Sequence, residues 1–251
     1  MEFPPVPYSI VIPTRYGQMI VNRHDINQTS ALVKTGGAFD AVEIELLTNI
    51  VGLYGERQTV IDVGANIGMH ALAFASAVGP RGKVHAFEPQ RIIFNMLAGS
   101  VALNALSNVY CYNMAVGDRE GSVEIPQFDY SKPLNFGSIE FGPEQREPLA
   151  QQRGNQLDRV ERVPLTTLDR MEFNDVGMIK IDVEGMEMDV LNGAQNTINK
   201  WRPVLYVEFF KVDREALRQR IAAWGYDVHV NAVNYLCIPS ELKDRIPIAT
   251  I

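Results

Sequence analysis

The chain has 251 residues, 46% of them hydrophobic and 21% charged, with a formal net charge of −7. That is the composition of a folded globular protein rather than a disordered or fibrous one. No apolar run approaches the roughly 20 residues needed to span a bilayer, and an acidic chain without a concentrated basic patch argues against a nucleic-acid partner.

The opening "MEFPPVPYSIVIPTRYG" lacks the charged and apolar regions of a secretory signal, so a cytoplasmic location is expected. Residues 8–23 read as a hairpin turning at "RYGQ", within an N-terminal extension over residues 1–40. Apolar strands follow at 59–64 ("TVIDVG"), 83–87 ("KVHAF"), 108–113 ("NVYCYN"), 178–183 ("MIKIDV") and 203–209 ("PVLYVEF"). Most are continuously apolar, as strands covered on both faces are. Between them, residues such as Leu72, Ala75 and Val78, or Leu191, Ala194 and Ile198, recur at helical spacing. Strands alternating with helices predict one α/β domain over residues 1–251, built on a doubly wound, mostly parallel sheet.

Residues 119–176 form an insertion longer than one crossover requires, with "GSVEIPQF" and "VPLTTLDRM" strand-like around a polar stretch. "GYDVHV" and "NYLCIPS" predict a closing pair of strands. Cys111 and Cys237 lie in apolar runs and read as buried, reduced thiols. Lys211 and Arg214, like Arg81 and Lys83, read as solvated surface charge.

The turn "VIDVGANIG" at 60–68 carries the first chemical information. Asn66 and Met69 stand where a dinucleotide fingerprint needs glycine, so G-x-G-x-x-G is absent. Asp62, in the strand before the turn, disfavours a pyrophosphate and suits a cationic ligand. Glu88 ends the second strand, where its two carboxylate oxygens suit a ribose diol. The plainer reading of Glu88 is a surface acid before the helix that begins near Pro89. A nucleoside joined to a cation without a pyrophosphate describes S-adenosylmethionine.

"VIDVGANIG", "VHAFEP", "NMAVGD", "VPLTTLD", "IKIDVEGMEMDVLNGA" and "PVLYVEF", in this order over roughly residues 40–210, resemble the FkbM family of S-adenosylmethionine-dependent methyltransferases. The resemblance implies a seven-stranded, Rossmann-like methyltransferase sheet. It implies that Asp62, Gly64, Ala65, Asn66 and Gly68 cradle the methionine end of the cofactor, that Glu88 meets the ribose, and that Ala115 and Asp118 lie beside the adenine. It also implies a sugar or secondary-metabolite hydroxyl as methyl acceptor. Where family members often carry an aromatic after the last glycine of the turn, this chain has Met69 and His70, and His70 reads as structural.

"MIKIDVEGMEMDV" is a second, acidic motif. Asp182 should end the fourth strand at the same sheet edge as Asp62, with Glu184 two residues on and Glu208 ending the fifth strand beside them. Converging carboxylates can accept or orient the proton of an acceptor hydroxyl, the favoured reading. They can also hold a divalent metal, a less favoured one. In the third reading Glu184 merely caps the following helix, as Glu187 and Asp189 are expected to do. Lys180 should have a carboxylate partner near the strand end. Residues 131–141, with Phe136, Gly137 and Ser138, are expected to close over the acceptor unless they are an exposed excursion.

Two other functions compete. An NAD-dependent oxidoreductase fails on glycine spacing, and a non-catalytic nucleoside-binding domain leaves the strand-end acids without a use. The expected partner is a small hydroxylated molecule. The N-terminal hairpin can cover the site or join a homo-oligomer.

Overall fold

The structure, a computed structural model, describes residues 6–53, 59–140 and 156–246. Residue 141 and the polar stretch 144–155 of the insertion lie outside the described residues.

The chain opens with the expected hairpin, β1 (Ser9–Thr14) antiparallel to β2 (Gly17–Asn22), and Thr14 pairs with Gly17 across the turn. Two helices then follow that the sequence reading did not anticipate, α1 (Gln28–Thr35) and α2 (Ala41–Leu53). The N-terminal segment is therefore more than a hairpin. In α2, Ile44, Leu47, Ile50 and Val51 are buried, one face of a helix by their spacing.

The remaining elements are β3 (Thr59–Val63), α3 (Met69–Ala77), β4 (Lys83–Phe87), α4 (Arg91–Leu103), β5 (Val109–Tyr112), β6 (Ala115–Val116), β7 (Gly121–Phe128), β8 (Gln156–Thr166), β9 (Val176–Ile181), α5 (Glu187–Asn192), α6 (Gln195–Trp201), β10 (Val204–Glu208), α7 (Arg214–Ala222), β11 (Tyr226–Asn231) and β12 (Asn234–Pro239). Seven of these strands form one sheet in the order β11-β12-β10-β9-β3-β4-β5. The run from β10 to β5 is parallel, and β12 and β11 add an antiparallel edge. This is the mostly parallel, doubly wound α/β architecture expected. Every residue of β3 and of β9 is buried, because apolar layers cover both faces. Ile44, Leu47, Phe74 and Leu97 belong to one layer, and Leu191, Ile198, Leu217 and Ile221 to the other. Each such side chain contributes about 1.5–3 kcal/mol on full burial.

A smaller sheet, β6-β8-β7, holds the described part of the insertion. "GSVEIPQF" is β7 as expected. "VPLTTLDRM" is strand only to Thr166 and then a short 3-10 turn, Asp169–Met171. Beyond the strand, the Asp169 carboxylate accepts the backbone N–H groups of Asn196 and Thr197 at the start of α6.

From β3 the chain steps to β4 and β5 on one side, and later places β9 and β10 on the other. The order reverses between β3 and β9. Ligands in such sheets bind in the crevice beyond the carboxyl ends of the strands at that switch.

Candidate active site

The turn after β3 is built by backbone bonds to its neighbour strand. Gly64 and Ala65 donate their N–H groups to the carbonyl of Phe87 at 3.0 and 2.9 Å. Gly64 is left-handed (φ 82°), and a Cβ there would meet the Asp182 carbonyl oxygen at 1.8 Å, so only glycine fits between β3 and β9. Asn66 is also left-handed (φ 50°), which aims its N–H at Glu88 Oε2, 3.0 Å away. Gly68 (φ 97°) turns the chain into α3.

Glu88 is not the surface acid of the plainer reading. It is 4% exposed, accepts a second N–H from Gln90 at 2.8 Å, and lies at the end of β4. Burial pushes its carboxyl up to about 8 against the lowering effect of those two N–H groups.

Asp62 and Lys180 lie behind the turn. Lys180 Nζ stands 3.6 Å from Asp62 Oδ1 and 3.3 Å from Asp182 Oδ2. Desolvation works against the Lys180 charge, yet Asp182, Asp62, Glu43 and Asp40 outweigh it and raise the pKa. Asp62 is fully buried, so its charge faces Lys180 rather than an incoming cation, contrary to the sequence reading.

Asp182, Glu184 and Glu208 meet at the strand ends, their nearest carboxylate oxygens all within 4.8 Å of one another. Glu184 takes a left-handed conformation (φ 59°) unusual for its residue type, followed by Gly185 at φ 107°. It does not cap α5, and neither does Glu187: the N-cap Met186 has no side-chain cap bond, and Glu187 instead accepts the N–H groups of Val183 and Gly185 in the turn before the helix. Burial first, then Asp182, pushes Glu184 up to about 7, with Lys211 opposing. Burial, Asp182, Glu184 and Glu187 push Glu208 up to about 9.

Lys211 corrects another expectation. It is 8% exposed, and its Nζ lies 2.5 Å from Glu184 Oε2 and 3.3 Å from Glu140 Oε1. Arg214 is exposed as expected. His70 sits between α3 and α2, 3.2 Å from Glu43 Oε1 and 3.6 Å from Asp40 Oδ2.

The described part of segment 131–141 is tied down rather than an excursion. Leu134 bridges to Asp25, Gln90 Nε2 donates to the Phe136 carbonyl at 2.9 Å, and Lys211 Nζ donates to the Ser138 carbonyl at 3.4 Å. Phe136 is fully buried and stacks on Tyr130 at 4.8 Å. Gly137 passes so close to the turn that a Cβ would meet Asn66 Nδ2 at 2.6 Å.

Two clefts result. The first, about 580 Å³, runs between Gly64, Asn66 and Glu88 on one side and Ala115, Val183 and Met186 on the other, with Phe87, Pro89, Met114 and Ile139 as apolar wall. The second, about 1200 Å³, is lined by Asp40, Glu43, Ser138, Glu208 and Asn234 among others. Asn66, Gly137, Asp182 and Glu184 line both. Ala65 is buried in the turn without lining either cleft, and Gly68 shapes the turn from behind. Asp118 is not brought to the site: it is exposed and pairs with Arg119 at 2.9 Å.

The pattern of the FkbM methyltransferase domain matches residues 62–228, two thirds of the chain. The chain belongs to the FkbM methyltransferase family. Among its relatives is methyltransferase sdnD of Sordaria araneosa, 27% identical over 197 residues, which cover 67% of this chain and 73% of that protein. The hexuronic acid methyltransferase AglP of Haloferax volcanii is 27% identical over 149 residues, covering 57% of this chain and 52% of that one. A crystal structure of an FkbM methyltransferase from Methylobacillus flagellatus KT shares the fold, with a TM-score of 0.50 at 18% identity; 73% of this chain covers 43% of that chain.

Proposed function

We propose that this FkbM-family chain is an S-adenosylmethionine-dependent O-methyltransferase, acting on a hydroxyl of a small polyhydroxylated acceptor such as a sugar or secondary metabolite. The observation that carries this reading is the junction of the two clefts at Asn66, Gly137, Asp182 and Glu184. One cleft takes the cofactor, the other the acceptor, and the acids stand where they meet.

The first cleft suits S-adenosylmethionine. Its apolar wall fits a flat adenine, with Ala115 against one edge. Glu88, pinned by two backbone N–H groups, keeps lone pairs for a ribose diol. Asp182 and Glu184 supply negative charge at the far end for a sulfonium. Bound there, the cofactor supplies an electrophilic methyl group open to in-line attack.

This chain's residues do the rest. The segment through Gly137 and Ser138 narrows the junction and excludes water, and alignment of donor and acceptor supplies much of the acceleration. Glu184, poised at about 7, takes the hydroxyl proton as the oxygen bonds to the methyl carbon and the carbon–sulfur bond breaks. Glu208, at about 9, is protonated at neutral pH and donates a hydrogen bond that orients the acceptor oxygen. Two neighbouring carboxyls whose environments separate their pKa values divide acid and base roles in this way.

The test is release of S-adenosylhomocysteine from S-adenosylmethionine with hydroxylated sugars, followed by mass and NMR analysis of the product. Glu184→Gln should cut turnover at least a hundredfold, the low end of general-base contributions, and leave cofactor affinity unchanged. Retained turnover, or methyl transfer to nitrogen or carbon, would refute the reading. Dialysis against a chelator should leave turnover intact; loss restored by Mg²⁺ would move the acids to metal binding.

A further inference from the structure

The acceptor cleft carries more charge than proton transfer uses. Asp40, Glu43, Asp182 and Glu184 line it beside the protonated Glu208. The described lining includes no lysine, arginine or histidine. The three basic groups nearby each stand behind the acids: Lys180 between Asp62 and Asp182, Lys211 against Glu184 and Glu140, and His70 between Asp40 and Glu43. Beneath the lining, Asp40 Oδ1 is buried without a hydrogen-bond partner. Carboxylates are acceptor-only groups and ask for donors, ideally charged ones. Burial raises the pKa of Asp40 and Glu184 alike, a cost that a cation in the cleft would relieve.

The rest of the lining fits a sugar-like frame. Asn27 offers an amide for hydroxyls, and Asn231 and Asn234 add a donor and an acceptor beyond the bonds that they make to Tyr206 and Glu43. Phe39, 74% exposed, stands in the same lining with a free aromatic face, which attracts a cation as well as an apolar ring face.

We infer that the acceptor is a polyhydroxylated molecule bearing a protonated amine, an amino sugar or aminocyclitol in chemical class, with the ammonium held at Asp40 and Glu43 while the reacting hydroxyl faces Glu184 and Glu208. The inference rests on the methyltransferase reading above. Its acceptor carries the charge opposite to the hexuronic acid named for the Haloferax volcanii relative.

The experiment titrates the full chain, saturated with S-adenosylhomocysteine, with three disaccharides: the chitosan disaccharide (two amines), cellobiose (neutral) and digalacturonate (anionic). The expected result is binding of the chitosan disaccharide at least tenfold tighter than cellobiose, weakening as salt is added, with digalacturonate weakest of the three. Asp40→Asn should reduce the amine preference at least threefold while leaving affinity for S-adenosylhomocysteine unchanged. Equal affinities, a preference for digalacturonate, or no binding of the chitosan disaccharide by the S-adenosylhomocysteine complex would overturn the inference and leave the methyltransferase reading standing. Failure to bind S-adenosylhomocysteine in the first step would overturn both.

Discussion

Lys211 Nζ lies 2.5 Å from Glu184 Oε2, with only 4% and 15% of the two side chains exposed. The same ammonium reaches Glu140 and the Ser138 carbonyl, so one buried cation joins the proposed base to the segment that narrows the clefts.

That contact sets the protonation of Glu184, since Lys211 lowers a pKa that burial and Asp182 raise to about 7. Turnover should therefore rise as the pH passes about 7. In Lys211→Met the rising limb should move to higher pH. A kcat–pH profile checks this, and an unmoved limb would assign the proton to another group.

Lys180 should matter more for stability than for chemistry. It is 2% exposed and faces the fully buried Asp62. Lys180→Met leaves that carboxylate without its cation and should destabilise the fold by about 3–5 kcal/mol, as breaking a buried pair does. Adding Asp62→Asn should recover part of the loss. Urea unfolding of the parent, the two single variants and the double variant measures it; additive losses would refute the coupling.

The raised carboxyls also fix a pH dependence. Glu208 moves from 4.5 to about 9 on folding, so between those values the native state holds a proton that the unfolded chain has released. Its contribution is undiminished below pH 4.5 and is lost progressively as the pH rises toward about 9. Glu208→Gln should flatten that decline. Unfolding free energies across the window give the comparison, and parallel curves would contradict it.

Two glycines should respond differently to alanine. At Gly64 the new Cβ meets backbone, the Asp182 carbonyl, at 1.8 Å, and φ is 82°; Gly64→Ala should fail to fold stably. At Gly137 the nearest atom is the Asn66 side-chain amide at 2.6 Å, which can swing aside. Gly137→Ala should melt near the parent temperature but turn over slowly. Circular dichroism and steady-state kinetics separate the two outcomes.

The strands of the parallel sheet were legible because covering both faces leaves continuous apolar runs, as in β3 and β9. The turn was legible from Gly64 and Asn66, whose φ angles few other residues tolerate. Other features depend on contacts distant in sequence. Lys211 follows two phenylalanines and reads as surface; only the meeting of its loop with Glu184 and Glu140 buries it. Asp118 follows Ala115 closely, yet the chain leaves β6 facing solvent and the carboxylate goes with it. Glu43 and Asp40 reach the cleft because α2 packs beside α3. The spacing of Ile44, Leu47, Ile50 and Val51 was the available signal for α2, and nothing nearby tied it to the site.

The central claim is that Glu88 and the Gly64–Asn66 turn hold S-adenosylmethionine. Thermal unfolding with S-adenosylhomocysteine, with NAD⁺ and without ligand tests it most directly. A ligand at about 100 times its Kd stabilises by roughly 2.7 kcal/mol, about 5–10 °C for a chain of this size. The account predicts that rise with S-adenosylhomocysteine alone, and an affinity at least tenfold weaker in Glu88→Ala, where two hydrogen bonds to the ribose diol, each worth about 0.5–1.5 kcal/mol, are lost. A rise with NAD⁺ alone, no shift with either ligand, or unchanged affinity in the variant would contradict it.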